Sequence, residues 1–262
     1  MKISIVTVCY NAVSVIENTI LSVINQTYPD IEYIIIDGGS TDGTVEIIEK
    51  YSDRLAYWVS EPDNGIYDAM NKGIKVVTGD YINFMNAGDT FINTEIIASV
   101  ALYIELNPDK KIYYGDSTYL YPYGKIIVPA LPIDTIKDRL PYCHQSSFVD
   151  AKLAKEKPFN CSFRYCADYK FAYDVIGANK QNALHIPVNI VVYEASDGIS
   201  SRMLKSTFRE MYRIKGIKPY STRYLTSEVS LLMICFRNFI RKNLPHKIAK
   251  QFQQWRIQKR QY

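Results

Sequence analysis

The stretch Tyr33-Ile34-Ile35-Ile36-Asp37-Gly38-Gly39-Ser40-Thr41-Asp42-Gly43-Thr44 decides how the chain is read. Tyr33 to Ile36 is apolar without alternation, the mark of a strand covered on both faces. It stops at Asp37. Gly38 to Gly43 reads as a turn in which Asp42 caps the short helix that runs to Lys50. Toward the N-terminus, Ile3 to Val8 is another such strand, followed by Tyr10-Asn11. Ser14-Val15-Ile16-Glu17 has the form of a capping box. Behind it Ile16, Ile20, Val23 and Ile24 recur at helical spacing. Toward the C-terminus come a strand from Leu55 to Val59, a helix from Ile66 to Val77 and a strand from Tyr81 to Met85. Strands alternating with helices predict an α/β fold with a mostly parallel sheet, right-handed crossovers and helices on both faces.

In such sheets ligands sit beyond the carboxyl ends of the strands. Four successive strand ends carry polar groups: Tyr10-Asn11, Asp37, Glu61-Pro62-Asp63 and Asn86-Ala87-Gly88-Asp89. Packing does not call for that pattern. After residue 110 the text is less regular. Ile112 to Asp116 and Val188 to Tyr193 read as strands, Tyr121-Pro122-Tyr123-Gly124 as a hairpin turn, and Cys166 to Ile176 as a helix.

The chain has 262 residues, 47% hydrophobic and 22% charged, enough for a sizeable core without disulfide or metal. No apolar run approaches the length of a membrane span, about 18 residues. Five scattered cysteines predict a reducing, cytoplasmic setting. Cys143, His144, Cys161 and Cys166 do not have a standard zinc spacing. Charge is divided unevenly. Residues 202–262 hold fifteen Lys/Arg and two Asp/Glu, a net +13, whereas residues 1–201 carry −9. Such asymmetry points to an anionic partner. No nucleic-acid module is recognisable, so an anionic membrane surface is the expected one. In the tail Leu231, Leu232, Ile234, Cys235, Phe239 and Ile240 interleave with Arg237, Arg241 and Lys242; Ile248, Phe252 and Trp255 follow after Pro245. Helices of this kind lie on membranes or pack on a body with a solvated basic face.

Taken in order, Ile3 to Asn11, Gln26-Thr27-Tyr28, Ile36 to Thr44, Gly65 to Gly73 and Thr78 to Ile82 resemble the nucleotide-binding opening of glycosyltransferase family 2. The resemblance covers roughly residues 3–200, more loosely after 120. It implies a GT-A fold, residues 1–201 as catalytic domain (1–110 for the nucleotide-sugar, 111–201 for the acceptor), and 202–262 as a basic helical tail. It further implies inverting transfer of a hexose from a UDP-sugar, with galactose preferred over glucose or GlcNAc. The acceptor would be an undecaprenyl-diphosphate-linked sugar in O-antigen or capsule assembly, met at the inner face of the cytoplasmic membrane.

Residue types support the carry-over. Asp37 is suited to accept the uracil N–H and Tyr10 to stack on the ring. With Asn11, Asp68 and Lys72 they form the expected nucleotide site. Asp89, the one acid in Asn86-Ala87-Gly88-Asp89, is the expected ligand of Mn²⁺ or Mg²⁺. Asp168 is the expected general base, with Asp174 the weaker candidate. His144, Asp116 and Ser200 are expected near the acceptor or diphosphate. Two other classes compete. One is a non-catalytic nucleotide-sugar binder, motivated by the altered metal motif. The other is a nucleotidyltransferase, which would carry a Gly-rich phosphate loop after the first strand that this chain lacks.

Overall fold

The computed structural model describes residues 1–195, 203–242 and 245–258; for residues 223, 237–242 and 256–258 it describes the backbone alone. The chain begins with β1 (Ile3–Cys9), α1 (Ile16–Ile24), β2 (Ile31–Asp37), α2 (Thr44–Lys50), β3 (Tyr57–Ser60), α3 (Ile66–Val76) and β4 (Tyr81–Phe84). β1 pairs in parallel with β2 and β4, and β2 with β3. Residues of β1 alternate between two cores. Val6 and Val8 face α3, and Ile3, Ile5 and Cys9 face the α1 side. Both faces are covered, which is why the strand sequence shows no alternation. α3 approaches β1 so closely that a Cβ at Gly73 would lie 2.5 Å from Val6 Cγ1.

The second half departs from the expected parallel pattern. It comprises β5 (Thr90–Phe91), α4 (Ile96–Leu106), β6 (Ile112–Tyr121), β7 (Gly124–Val128), β8 (Ser147–Asp150), α5 (Ala151–Glu156), α6 (Ala167–Ala178) and β9 (Ala183–Glu194). The sheet order is β3-β2-β1-β4-β8-β6-β9-β5, with β7 on β6. β8 is antiparallel to both β4 and β6, and only β6 and β9 restore a parallel pair. The sheet is therefore parallel from β1 to β4 and mixed beyond. The Pro122-Tyr123 hairpin forms as expected, closing at Tyr121 and Gly124.

Among the described residues three helices follow: α7 (Leu204–Ile214), α8 (Thr222–Lys242) and α9 (His246–Gln258). α7 belongs to the body, since Ile214 is buried in the α3–α6 core and Met211 packs on it. A catalytic body ending at residue 201 thus omits a helix that its core contains. α9 packs on the β6–β7 hairpin, with Ala249 and Gln253 buried and Gln253 Nε2 donating to Tyr121 Oη at 3.0 Å. Packing on the body thus holds for α7 and α9. Among the described residues no helix is long and apolar enough to cross a membrane.

The capping box at Ser14 does not form. α1 starts at Ile16 without a side-chain cap. Glu17 instead accepts from Lys50 Nζ at 2.6 Å and Tyr51 Oη at 2.7 Å. Asp42 does hold its helix start, with Oδ1 accepting the Thr44 N–H at 3.1 Å.

Candidate active site

The parallel strands β1 to β4 end on one crest, and the register sets Cys9 beside Asp37 and Asp37 beside Ser60. Tyr10 follows β1 with its side chain 65% exposed. Gly38 leaves a gap beside it. A Cβ at Gly38 would lie 2.5 Å from Asp63 Oδ2 and 3.4 Å from the Tyr10 ring. Asp63 Oδ1 accepts the Gly65 N–H at 2.7 Å, and no donor among the described residues bonds its Oδ2. An open aromatic face near an unengaged carboxylate oxygen suits a flat base with an N–H.

The expectation that Asp37 accepts that N–H is corrected. Asp37 is fully buried. Its Oδ2 accepts from Gly39 N (3.0 Å), Ser40 N (2.8 Å) and Ser60 Oγ (2.7 Å), and its Oδ1 from Ser40 Oγ and the Cys9 thiol. Burial alone would raise its pKa, but these donors hold it below the usual carboxylate range. Asp37 builds the turn, and Asp63 is the carboxylate left open. Asn11 is a second brace. At φ 47° it sits in the left-handed region. Its Oδ1 accepts the Thr41 N–H and its own N–H donates to Ser40 Oγ. Asp68 and Lys72 also hold backbone. Asp68 Oδ2 accepts from Asn64 N at 3.0 Å; Lys72 Nζ donates to the Pro62 carbonyl and pairs with Glu61, both at 2.8 Å. In this structure both fix the loop that carries Asp63.

Asn86 to Asp89 bends beside the end of β1, the Ala87 N–H donating to the Val8 carbonyl. Asp89 is 4% exposed. Its Oδ2 accepts from Gln145 Nε2 at 2.6 Å and its Oδ1 from Glu194 N at 3.0 Å. Burial pushes its pKa up to about 7, with the charge of Glu194 adding and the two N–H donors opposing. Both oxygens thus serve the protein interior, and the described residues contain no group of three His, Cys, Asp or Glu that could hold a metal ion. The residues present do not fit a tightly held divalent cation, since Asp89 is the one acid at the bend and both its oxygens are engaged. Asn86 Oδ1 is sealed from solvent and has no partner among the described residues.

Asp168 lies in the first turn of α6. Its Oδ1 accepts from Tyr67 Oη and from the Tyr169 N–H, each at 2.8 Å, and among the described residues nothing bonds its Oδ2. Burial and the charge of Asp168 push the Tyr67 hydroxyl well above its ordinary pKa, so it stays a donor. The loop leading into α6 is held by Glu210 of α7, whose carboxylate accepts from the N–H groups of Arg164, Tyr165 and Cys166 at 2.7, 2.8 and 3.0 Å. Asp174 is tied to Lys170 across one helical turn.

A model described as Glycosyl transferase family 2 matches residues 4–149, more than half of the chain. The chain belongs to glycosyl transferase family 2. It is 27% identical over 212 residues to a "PGL/p-HBAD biosynthesis glycosyltransferase" of Mycobacterium bovis, covering 78% of this chain and 81% of that one. A glycosyltransferase of Mycobacterium tuberculosis is 32% identical over 183 residues, covering 64% of this chain and 66% of the relative. Among solved structures, residues 1–349 of S. aureus TarS in complex with UDP superpose with a TM-score of 0.64 at 20% identity, covering 83% of this chain and 65% of that fragment. The Pyrobaculum calidifontis mannosyltransferase bound to GDP-Man and Mn²⁺ gives 0.63 at 15% identity, covering 88% and 69%. The GT-A fold and the glycosyltransferase activity expected from sequence both hold.

Between β6, β9 and the segment 128–143 this family 2 enzyme has a cavity of about 710 Å³ whose walls include Tyr114, Tyr119, Tyr142, Arg139, Cys143 and His185. Asp116 does not face it freely, because its Oδ1 accepts from Ala130 N at 2.9 Å and contacts His185 Nε2 at 3.0 Å. The expected acceptor contact is corrected to a brace of the cavity wall. His144 is corrected likewise. Its ring stacks on Phe84 and meets Phe159 edge-on, its Nε2 is sealed from solvent without a partner, and burial lowers its pKa. A neutral ring in an aromatic cluster is no cation for a diphosphate. Ser200 lies outside the described residues. Sequence reading missed Asp63, Gln145 and Glu210 as named site residues. Asp63 stood inside a quoted strand end and Gln145 directly after His144, whereas nothing local marks Glu210.

Proposed function

We propose that this glycosyltransferase moves a hexose from a UDP-sugar, with inversion, to a sugar on a lipid diphosphate at a membrane surface in surface-polysaccharide assembly. Galactose is the first donor to try, ahead of glucose and GlcNAc. The observation that carries the reading is Asp168, which has one oxygen pinned by Tyr67 and the other unengaged. That oxygen takes the proton of the acceptor hydroxyl as the hydroxyl oxygen attacks the anomeric carbon. The sugar's bond to the diphosphate breaks on the opposite face, and the diphosphate leaves with the bonding electron pair. The tyrosine-walled cavity receives the acceptor sugar, whose C–H faces stack on aromatic rings. At the donor end Tyr10 stacks on the base and Asp63 accepts its N–H. Because the bend does not suit a cation, no step is routed through a metal.

The test is transfer from labelled UDP-sugars to a synthetic GlcNAc-diphosphate-lipid by wild type and Asp168→Asn. The expected loss is about 10²–10⁴-fold in kcat with UDP affinity kept. Loss of UDP affinity in step with rate would make Asp168 a structural acid. The burial of Asp89 favours one rival, a nucleotide-sugar binder without turnover. UDP binding with no transfer across the donor and acceptor panel would select it.

A further inference from the structure

α8 divides its residues between two faces. Tyr224, Ser227, Glu228, Leu231, Ile234 and Cys235 turn toward the protein, with Leu231 3% exposed. Leu225, Val229, Leu232, Met233 and Phe236 are each between 56% and 67% exposed. At 100° per residue these five fall within a single arc of about 100°. Exposed large apolar residues are ordinary when scattered and informative when they form one stripe.

The chemistry around the stripe selects what covers it. The tail carries a net +13. Of its two acids, Glu210 is spent on the loop before α6, and Glu228 lies beside Tyr212 with one oxygen sealed from solvent. The same helix continues through Arg237, Arg241 and Lys242 in sequence. α9 repeats the theme on a smaller scale, with Ile248 and Trp255 half exposed next to Lys247 and Lys250. An apolar stripe in a cationic setting is complementary to a surface that is anionic outside and apolar beneath. A second copy that met the stripe with its own α8 would bring like charge.

We infer that α8 lies on an anionic phospholipid surface, its Leu225–Phe236 stripe inserted among the lipids while α7 and α9 stay docked to the body. This narrows the tail's membrane role to one helix face. It deepens the reading of a lipid-linked acceptor and rests on it for its purpose, although the binding is measured without substrate. The test is flotation of the full chain with phosphatidylglycerol–phosphatidylethanolamine vesicles and with phosphatidylcholine vesicles, for wild type and the double variant Leu232→Gln, Phe236→Gln. Both positions are exposed, so the fold is kept, which UDP binding and circular dichroism check. Wild type should float with the anionic vesicles only. About 1 M salt should weaken that binding, and the double variant should bind at least about tenfold less. Equal flotation of wild type and variant, or flotation of neither, overturns the inference. So does a wild-type dimer in sedimentation that the double variant abolishes, since a second copy would then cover the stripe. Vesicle binding without transfer to the lipid-diphosphate acceptor would leave this inference standing and reject the proposed function, and transfer without vesicle binding would do the reverse.

Discussion

Replacing Glu210 by alanine tests whether a helix remote in sequence holds Asp168, the proposed base, in place. Glu210 lies 46 residues from Arg164, yet its carboxylate takes three consecutive backbone N–H groups ahead of α6. A hydrogen bond to a charged group contributes about 1.5–3 kcal/mol. Arg164 is exposed and the carboxylate is partly wet, so water replaces part of the loss and the sum is discounted to about 2–4 kcal/mol. For a chain of this length that lowers Tm by about 5–12 °C. Glu210→Gln keeps one acceptor oxygen and should lose about half as much. The amides of Tyr165 and Cys166 should exchange hydrogen faster in both variants. Asp168 sits two residues past Cys166, and a displacement of about 1 Å at a reacting group costs about 10²-fold in rate. Transfer should therefore fall while UDP affinity stays, because Tyr10 and Asp63 stand on other elements. Calorimetry, exchange and UDP titration on the same samples decide it. A Tm within about 1 °C of wild type, with unchanged exchange at Tyr165 and Cys166, would refute the capping role.

Three further outcomes are expected. Asp63→Ala and Tyr10→Ala should each weaken UDP binding by about tenfold, the worth of one hydrogen bond or one stacking contact, and calorimetric titration that finds no change in either removes the base site from this crest. UDP affinity should differ by less than about threefold between Mn²⁺ and EDTA, since a bend with one buried acid offers the ion few ligands; strict Mn²⁺ dependence would restore a metal to the site. His144 titrates below its ordinary value of 6.5 in the folded state, so the unfolded chain binds the extra proton first, and stability should fall as pH drops below about 6.5. His144→Phe should flatten that part of the pH–stability curve, and an unchanged slope assigns it to other groups.

The donor half was legible because its strands are buried on both faces, and an apolar run such as Ile34-Ile35-Ile36 has few other uses. The acceptor half was less so. β8 enters antiparallel between β4 and β6, and nothing in Ser147 to Asp150 states a direction. Within the site, residue type pointed to the right places more often than to the right roles. Asp37 and Asp63 are both acids at strand ends, and only the count of donors around each separates the turn-builder from the open carboxylate. Glu17 lost its capping role to Lys50 and Tyr51, partners more than thirty residues away. Glu210 had no local signature at all, because its partners are bare N–H groups that any sequence presents.

The bond between Gln145 and Asp89 bears on how family members trade specificity. Asp89 belongs to the bend after β4, Gln145 to the chain entering β8, and Glu194 to the end of β9. One buried carboxylate therefore joins the donor crest to two strands of the acceptor half. β4 and β8 also share a ladder. A hybrid enzyme built by grafting one relative's acceptor half onto another's donor half would cut through both. A seam placed after Asp89 strands a buried acid unless the incoming half brings an amide at the position of Gln145 and a backbone N–H at that of Glu194. Acceptor choice is thus better exchanged at the cavity wall, through Arg139, Tyr142 and the neighbouring loop, than by swapping whole halves.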